Sequence, residues 1–244
     1  MFGYDETTFG AEWAASYDTF FPEAAEGMID RLAEIAEDGT VLELAIGTGR
    51  VALPLAARGL KVSGIDISPE MVSLLRKKPG GAEIPVVMGD FANVAIEGEF
   101  KLIYLVSNTL FCLLSQTEQV RCFANVVPHL GDGGRFLIEA FVPDLGRFDR
   151  GQRVQAVRVL REQAVIDVSQ HDLVNQLVTS QWVWLSLTGI ELRPVNIRYA
   201  WPSELDLMAQ LAGLELEVRW GGWEKEPFNS ASPRHVSVYK APAP

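Results

Sequence analysis

Cysteine is scarce in this chain: two residues, Cys112 and Cys122, stand ten positions apart, with no CxxC pair and no histidine at ligand spacing. That excludes a disulfide framework and gives no metal site. Basic residues are the minority, 21 Lys and Arg against 32 Asp and Glu, for a net charge of −11. A nucleic-acid partner would need a basic face, so none is expected. No apolar run approaches the roughly 18–20 residues of a membrane span. The first ten residues, MFGYDETTFG, lack the basic and apolar regions of a secretory signal. A cytoplasmic protein without a membrane partner is expected.

What is present is a large core and one informative stretch. At 48% hydrophobic over 244 residues, the chain suits one large domain or a domain with an insertion. Val41–Leu42–Glu43–Leu44 reads as a buried strand, followed by Ala45–Ile46–Gly47–Thr48–Gly49–Arg50. Gly47 and Gly49 leave bare backbone for a ligand to lie against. From Arg50 the pattern is helical as far as Gly59. Strand, glycine turn and helix start make a nucleotide-type loop. No Gly–Lys–Ser/Thr follows, which rules out a phosphate loop. Glu43 suits a cationic or ammonium-bearing ligand better than a pyrophosphate.

Residues 9–21 place Phe9, Trp13, Tyr17, Phe20 and Phe21 three or four apart, predicting an aromatic-striped helix that Pro22 ends. It either packs on the core or forms a flap with Tyr17 as its polar contact. A second helix is expected at about 23–37. Residues 60–66 read as the next strand, with Asp66 at its end, 17 positions after Gly49. A βαβ unit puts that carboxylate beside the glycine loop, where it can accept both hydroxyls of a ribose. Ser68, Pro69 and Glu70 start the next helix. Strands follow at 83–88, leading to Asp90–Phe91, at 100–106, leading to Ser107–Asn108, and at 135–141, carrying Glu139. A helix at 116–130 separates the last two. Every ligand candidate lies at a strand C-terminus, the binding edge of open α/β sheets.

From about 153 to 200 the helical period disappears. Strands at 154–160, 163–170, 173–187 and 190–201 make an antiparallel meander with turns near 161–162, 171–172 and 188–189. A helix at 202–212 and an antiparallel pair, 214–220 and 235–240, close the chain. The expected fold is an α/β, Rossmann-like, seven-stranded and mostly parallel sheet with an antiparallel last hairpin. Residues 1–146 and 202–244 form its core, and 147–201 form an inserted antiparallel β cap.

This pattern resembles class I S-adenosylmethionine-dependent methyltransferases. Glu43–x–Ala45–x–Gly47–x–Gly49 is similar to that family's acidic glycine motif, with Ala45 in place of its first glycine. Asp66 matches the ribose-binding acid, and Asp90 with Phe91 matches the pair that contacts adenine. The N-terminal Tyr17 and the insertion after the fifth strand resemble small-molecule N-methyltransferases of the amino-sugar and glycine type. The resemblance implies S-adenosyl-L-methionine as cofactor, S-adenosyl-L-homocysteine as product, and a cap over the acceptor site that also offers a homodimer contact.

Methyl transfer from a sulfonium is an in-line displacement, so the protein mainly orients two reactants, worth about 7–11 kcal/mol. The resemblance gives Glu43, Gly47 and Gly49 to the methionine end, Tyr17 and Arg50 to its carboxylate, and Ile67 to the adenine. It sets Ser107 near the sulfur. Asn108, Phe141, Trp182, Trp184, Arg198, Tyr199 and Trp201 are candidates for the acceptor site. Two tryptophans on one strand face are more often core than cage, and Arg198 can be a surface charge. Glu139, then His171, are candidate bases; an amine acceptor needs no strong one, whereas a hydroxyl generally does. Two other readings stand beside this. A nicotinamide-dependent dehydrogenase would require a parallel sixth strand. A non-catalytic S-adenosylmethionine-binding protein would carry the same loop and turn nothing over.

Overall fold

The computed structural model describes residues 8–21 and 23–242. The expected helix stop at Pro22 and the side chain of Phe9 lie outside the described residues. The described chain runs α1 (Thr8–Trp13), a 3₁₀ turn, α2 (Tyr17–Phe20), α3 (Glu26–Ala36), β1 (Thr40–Leu44), α4 (Ala52–Ala57), β2 (Lys61–Asp66), α5 (Pro69–Arg76), β3 (Val86–Met88), β4 (Phe100–Leu105), α6 (Gln116–Val126) and β5 (Leu130–Phe141). It continues through β6 (Gln152–Val159), β7 (Gln163–Asp172), β8 (Leu177–Ser186), β9 (Gly189–Arg198), α7 (Pro202–Leu211), β10 (Glu215–Trp220) and β11 (Arg234–Lys240).

Seven strands form one sheet in the order β10-β11-β5-β4-β1-β2-β3. The strands from β3 to β5 are parallel; β11 runs antiparallel to both β5 and β10. That hairpin is what the sequence predicts, and it removes the parallel strand a dehydrogenase would need. Parallel strands are covered on both faces and therefore read as apolar runs. Val41, Leu42, Leu102 and Ile103 are fully buried. Leu32 and Leu55 pack on one face of the sheet, Phe123 and Leu205 on the other. Chain order reverses at β1, between β2 and β4, so the crevice beside its C-terminal end is the expected ligand position.

The second sheet has the order β6-β7-β8-β9 and is antiparallel throughout. Its inner face sits against the N-terminal segment: Trp13, Phe20, Val165 and Trp184 share one cluster. Trp13 is 5.1 Å from Trp182, ring centre to ring centre, and its indole N–H points to the Pro194 carbonyl at 3.5 Å. This contact breaks the single helix expected over 9–21 into α1, the 3₁₀ turn and α2.

Other boundaries shift for local reasons. β3 starts at Val86, not at residue 83, because Pro85 has no N–H to give a ladder. α6 ends at Val126, not at 130, because Pro128 disfavours helix in the residue before it. β5 then begins at Leu130. The turn expected at His171–Asp172 falls after Asp172, whose carboxylate accepts the N–H groups of Val174 and Asn175 at 3.0 and 3.1 Å. His171 is therefore a strand residue, pointing inward.

Gly64 in β2 is a close-approach position. A Cβ there would stand 2.5–2.8 Å from three side-chain atoms of Ile46, which sits on it at the head of the glycine loop. Gly64→Ala is expected to cost about 1–3 kcal/mol by overpacking. Each kcal/mol lowers Tm by about 2–4 °C at this size, readable by thermal unfolding.

Candidate active site

The loop after β1 uses left-handed backbone three times, at Ala45 (φ 60°), Gly47 (φ 57°) and Gly49 (φ 77°). A Cβ on Gly49 would strike Leu75 at 2.4 Å, whereas one on Gly47 would meet nothing within 4 Å. The Gly47 face is thus open, and its N–H donates to Asp66 Oδ2 at 2.6 Å. The other Asp66 oxygen accepts the Ser68 N–H at 2.8 Å, and Ser68 in turn caps α5 through the Met71 N–H. Asp66 is buried; burial raises its pKa, opposed by the N–H groups of Ser68, Gly47 and Ile67. Ile67 is half-buried beside it. The Asp66 carbonyl accepts the Gly89 N–H at 2.9 Å, which sets Asp90 and Phe91 alongside. Asp90 accepts the Ala92 N–H at 2.8 Å and faces Arg121 at 3.2 Å; Phe91 is buried.

Glu43 lies beneath this loop, 5% exposed, next to Tyr104 of β4 in the strand register. Among the described residues its Oε2 has no hydrogen-bond partner. Burial pushes its pKa up to about 8, against the pull of Tyr104 and Arg50. Arg50 donates to the Ser107 hydroxyl at 2.6 Å. The same guanidinium opposes the burial that raises the Tyr17 hydroxyl. Tyr17, Glu43, Arg50 and Ser107 therefore form one electrostatic group.

Ser107 and Asn108 are both left-handed, at φ 59° and 65°. Glu139 holds that turn: its Oε2 accepts the Ser107 N–H at 2.6 Å and its carbonyl accepts the Asn108 N–H at 3.2 Å. Asn108 Oδ1 accepts the Phe141 N–H at 2.7 Å. Burial raises the Glu139 pKa. Ser107 and Cys112 are exposed although Val106, Leu110 and Phe111 are buried. Burial nevertheless pushes the Cys112 thiol up to about 11.

The N-terminal segment is latched onto the loop. Asp18 accepts the Thr48 hydroxyl at 2.6 Å and pairs with Lys78 at 2.7 Å; Lys78 also donates to the Thr48 carbonyl at 2.8 Å. Between the segment and α4, a cleft of about 660 Å³ opens onto Gly49 and Arg50.

The cap candidates divide. Trp182 and Trp184 pack on Phe20 at 5.1 and 5.2 Å, and Arg193 stacks over Trp184 at 4.0 Å. Arg198 is buried, not a surface charge; it donates to Gln119 at 2.7 Å, Glu204 at 2.8 Å and Gln176 at 3.0 Å. Tyr199 is buried, with its hydroxyl 2.9 Å from His171 Nε2. Phe148 stacks on His171 at 4.5 Å, and Trp201 lies 6.4 Å from Tyr199 at the surface. Burial and Arg147 lower the His171 pKa. Sequence reasoning missed Asp18, Lys78, Tyr104 and Cys112. Only Tyr104 had a signal, its register with Glu43.

Glu139 supports the Ser107–Asn108 turn whatever else it does. Glu139→Ala leaves the part-buried Ser107 N–H without its acceptor and is expected to cost about 1 kcal/mol. Glu139→Gln keeps an acceptor oxygen and should retain most of that stability in the same thermal melt.

A family model described as a methyltransferase domain matches residues 41–134. The CcbJ methyltransferase from Streptomyces caelestis is 38% identical, with 98% of this chain and 100% of that chain covered and a TM-score of 0.92. A curated relative, the cypemycin N-terminal methyltransferase of a Streptomyces species, is 27% identical over 79% of each chain. CalS10 of Micromonospora echinaspora, an amino pentose methyltransferase solved with S-adenosylmethionine bound, shares the fold. It is 21% identical, with a TM-score of 0.61 over 97% of this chain and 92% of that one. The sheet order, the open glycine loop over a buried carboxylate and these likenesses agree: the chain belongs to the class I S-adenosylmethionine-dependent methyltransferases.

Proposed function

We propose that the chain methylates a nitrogen of a small molecule. The observation that carries the cofactor reading is the unpartnered oxygen of buried Glu43 behind a loop whose Gly47 face is open. A buried carboxyl with one oxygen unpartnered, its pKa pushed up to about 8, is ionised when a cation arrives, and the cofactor brings an ammonium there. Bound S-adenosylmethionine supplies an electrophilic methyl on a sulfonium. Glu43 and the Gly47 and Gly49 backbone take its methionine end, and Tyr17 with Arg50 its carboxylate. Asp66 takes the ribose hydroxyls with the lone pairs that Gly47 and Ser68 leave free. Ile67, Asp90 and Phe91 take the adenine. Ser107 sits at the mouth of β4, held there by Glu139.

Nitrogen is favoured over oxygen by two observations. The cypemycin relative is named as an N-terminal methyltransferase. Both candidate bases are engaged, Glu139 with the Ser107 N–H and His171 with the Tyr199 hydroxyl. An amine acceptor can react at such a site, because its lone pair needs no strong base. The four-stranded sheet serves as the cap over the acceptor, with Asn108, Phe141, Tyr199 and Trp201 at its rim. Trp182, Trp184 and Arg198 act from behind, by fixing the cap's seat.

The cap's outer face supports a homodimer. Cross-strand rows Val159–Ala164–Leu185–Ile190, Ala156–Ile166–Val183–Leu192 and Val154–Val168–Gln181–Pro194 carry no charge. Val154, Val159 and Ile190 are about 70% exposed, at 72%, 73% and 69%. An uncharged apolar sheet face on a chain of net charge −11 fits a second copy of itself. Sedimentation should show a dimer that Ile190→Asp converts to monomer; a wild-type monomer would overturn this.

The cofactor reading is tested by titrating the protein with S-adenosylhomocysteine and, separately, NADH. The first should bind and the second should not. Asp66→Ala should weaken S-adenosylhomocysteine by about tenfold or more, through loss of charge-assisted hydrogen bonds. Unchanged affinity in that variant would remove Asp66 from the site.

A further inference from the structure

The inner face of the cap sheet is apolar at both ends and polar in the middle. At one end Val165 and Trp184 seat on Trp13 and Phe20 of the N-terminal segment. At the other end Val178, Ile197 and Tyr199 join the core cluster that holds Phe111 and Phe141. Between them, by strand register, the same face presents Asp167, Ser169 and Ser180. All three are buried, at 9%, 2% and 7% exposure. A buried sheet face is expected to be apolar, so this band is an exception with a position.

Asp167 is the sharpest part of it. Its Oδ1 is buried with no hydrogen-bond partner among the described residues, and its Oδ2 has the Ser169 hydroxyl at a long 3.3 Å. Two arginines lie near it and neither pairs with it among the described residues. Arg153 stands opposite Ser169 in register on the same face, and Arg147 feels the charge of Asp167 but stacks over Phe148 and Phe141, at 5.0 and 5.9 Å. A carboxylate in that state costs stability unless something else completes it. The band faces the core. Trp182, opposite Asp167 in register, meets Trp13 and Phe20, whose segment carries Tyr17 toward Arg50. His171, two positions beyond Ser169 on the same face, meets Tyr199.

We propose that Asp167, with Ser169 and Ser180, is the acceptor subsite and takes a cationic nitrogen of the methyl acceptor. This rests on the methyl-transfer reading and narrows its substrate class to hydrogen-bond-donating, positively charged amines. The nitrogen that takes the methyl needs a free lone pair, so it is a second, neutral nitrogen of the acceptor; the cationic one at Asp167 keeps its proton, and the subsite binds and orients only. The two hydroxyls accept further hydrogen bonds from the same group.

The test uses the full chain, saturated with S-adenosylhomocysteine, and two probes that differ by one ammonium group: glucosamine and glucose, at tens of millimolar. Glucosamine should raise the wild-type Tm more than glucose. In Asp167→Asn that difference should vanish, with glucosamine weakened by about tenfold or more. Without any probe, Asp167→Asn should melt about 2–4 °C higher than wild type, because it removes an unpaired buried charge. A structural carboxylate would give the opposite sign. Equal stabilisation by the two sugars, or a lower Tm for Asp167→Asn, would overturn the assignment. Failure of the wild type to bind S-adenosylhomocysteine would instead overturn the methyl-transfer reading and leave the sign of the Asp167→Asn melt to judge the residue alone.

Discussion

A carboxylate held in a dry place without a full set of partners is the constraint on which this structure turns. Glu43 sits under the glycine loop at the switch point of the sheet, with one oxygen unpartnered and its pKa pushed up to about 8. An ordinary core would not tolerate it; the cost is of the order of a few kcal/mol unless a cation arrives or the group takes a proton. The sign follows from the raised pKa. The folded protein binds the proton more tightly than the unfolded chain does, so this group's stability contribution is largest below the ordinary carboxylate range. It is lost as pH rises from there toward about 8. A ligand ammonium reverses that balance by favouring the ionised form.

The surrounding architecture keeps that charge dry and aimed. Asp66 ties the tip of β2 to the Gly47 N–H, and Glu139 ties the tip of β5 to the Ser107–Asn108 turn after β4. Four strand ends are thereby held at one crevice. The N-terminal segment is pinned over them from two sides: Asp18 reaches Thr48 and Lys78 below, and Trp13 meets the cap sheet above. The cap is anchored by apolar contacts at both ends and by the buried Arg198 network with Gln119, Gln176 and Glu204. Its polar middle is left facing inward, where Asp167 repeats the incompleteness that Glu43 shows under the glycine loop.

Much of this was legible in the sequence, and the divide is physical. Strand–helix alternation, the Gly47–Gly49 loop, Asp66, Asp90–Phe91 and the antiparallel meander are local patterns, and the structure places them as the periodicity predicts. What was not legible depends on partners far away in the chain. Arg198 reads as a loose charge until Gln119, 79 positions away, is folded against it. Glu139 reads only as a strand-end carboxylate until the Ser107 N–H, 32 positions back, is folded against its oxygen. The break in the N-terminal helix comes from Trp13 meeting Trp182 and Pro194, which no local propensity encodes. Asp167 reads as one more polar residue of an alternating strand, because period alone does not say which face is covered.

The central claim is that Glu43 waits protonated and is ionised by the cofactor's ammonium. Calorimetric titration of S-adenosylhomocysteine at pH 7, in two buffers of different ionisation enthalpy, counts the protons exchanged on binding. The account predicts release of a large part of one proton by the wild type, lost in Glu43→Gln, with wild-type affinity rising from pH 6 toward pH 8. Binding with no proton release, at an affinity independent of pH over that range, would contradict it.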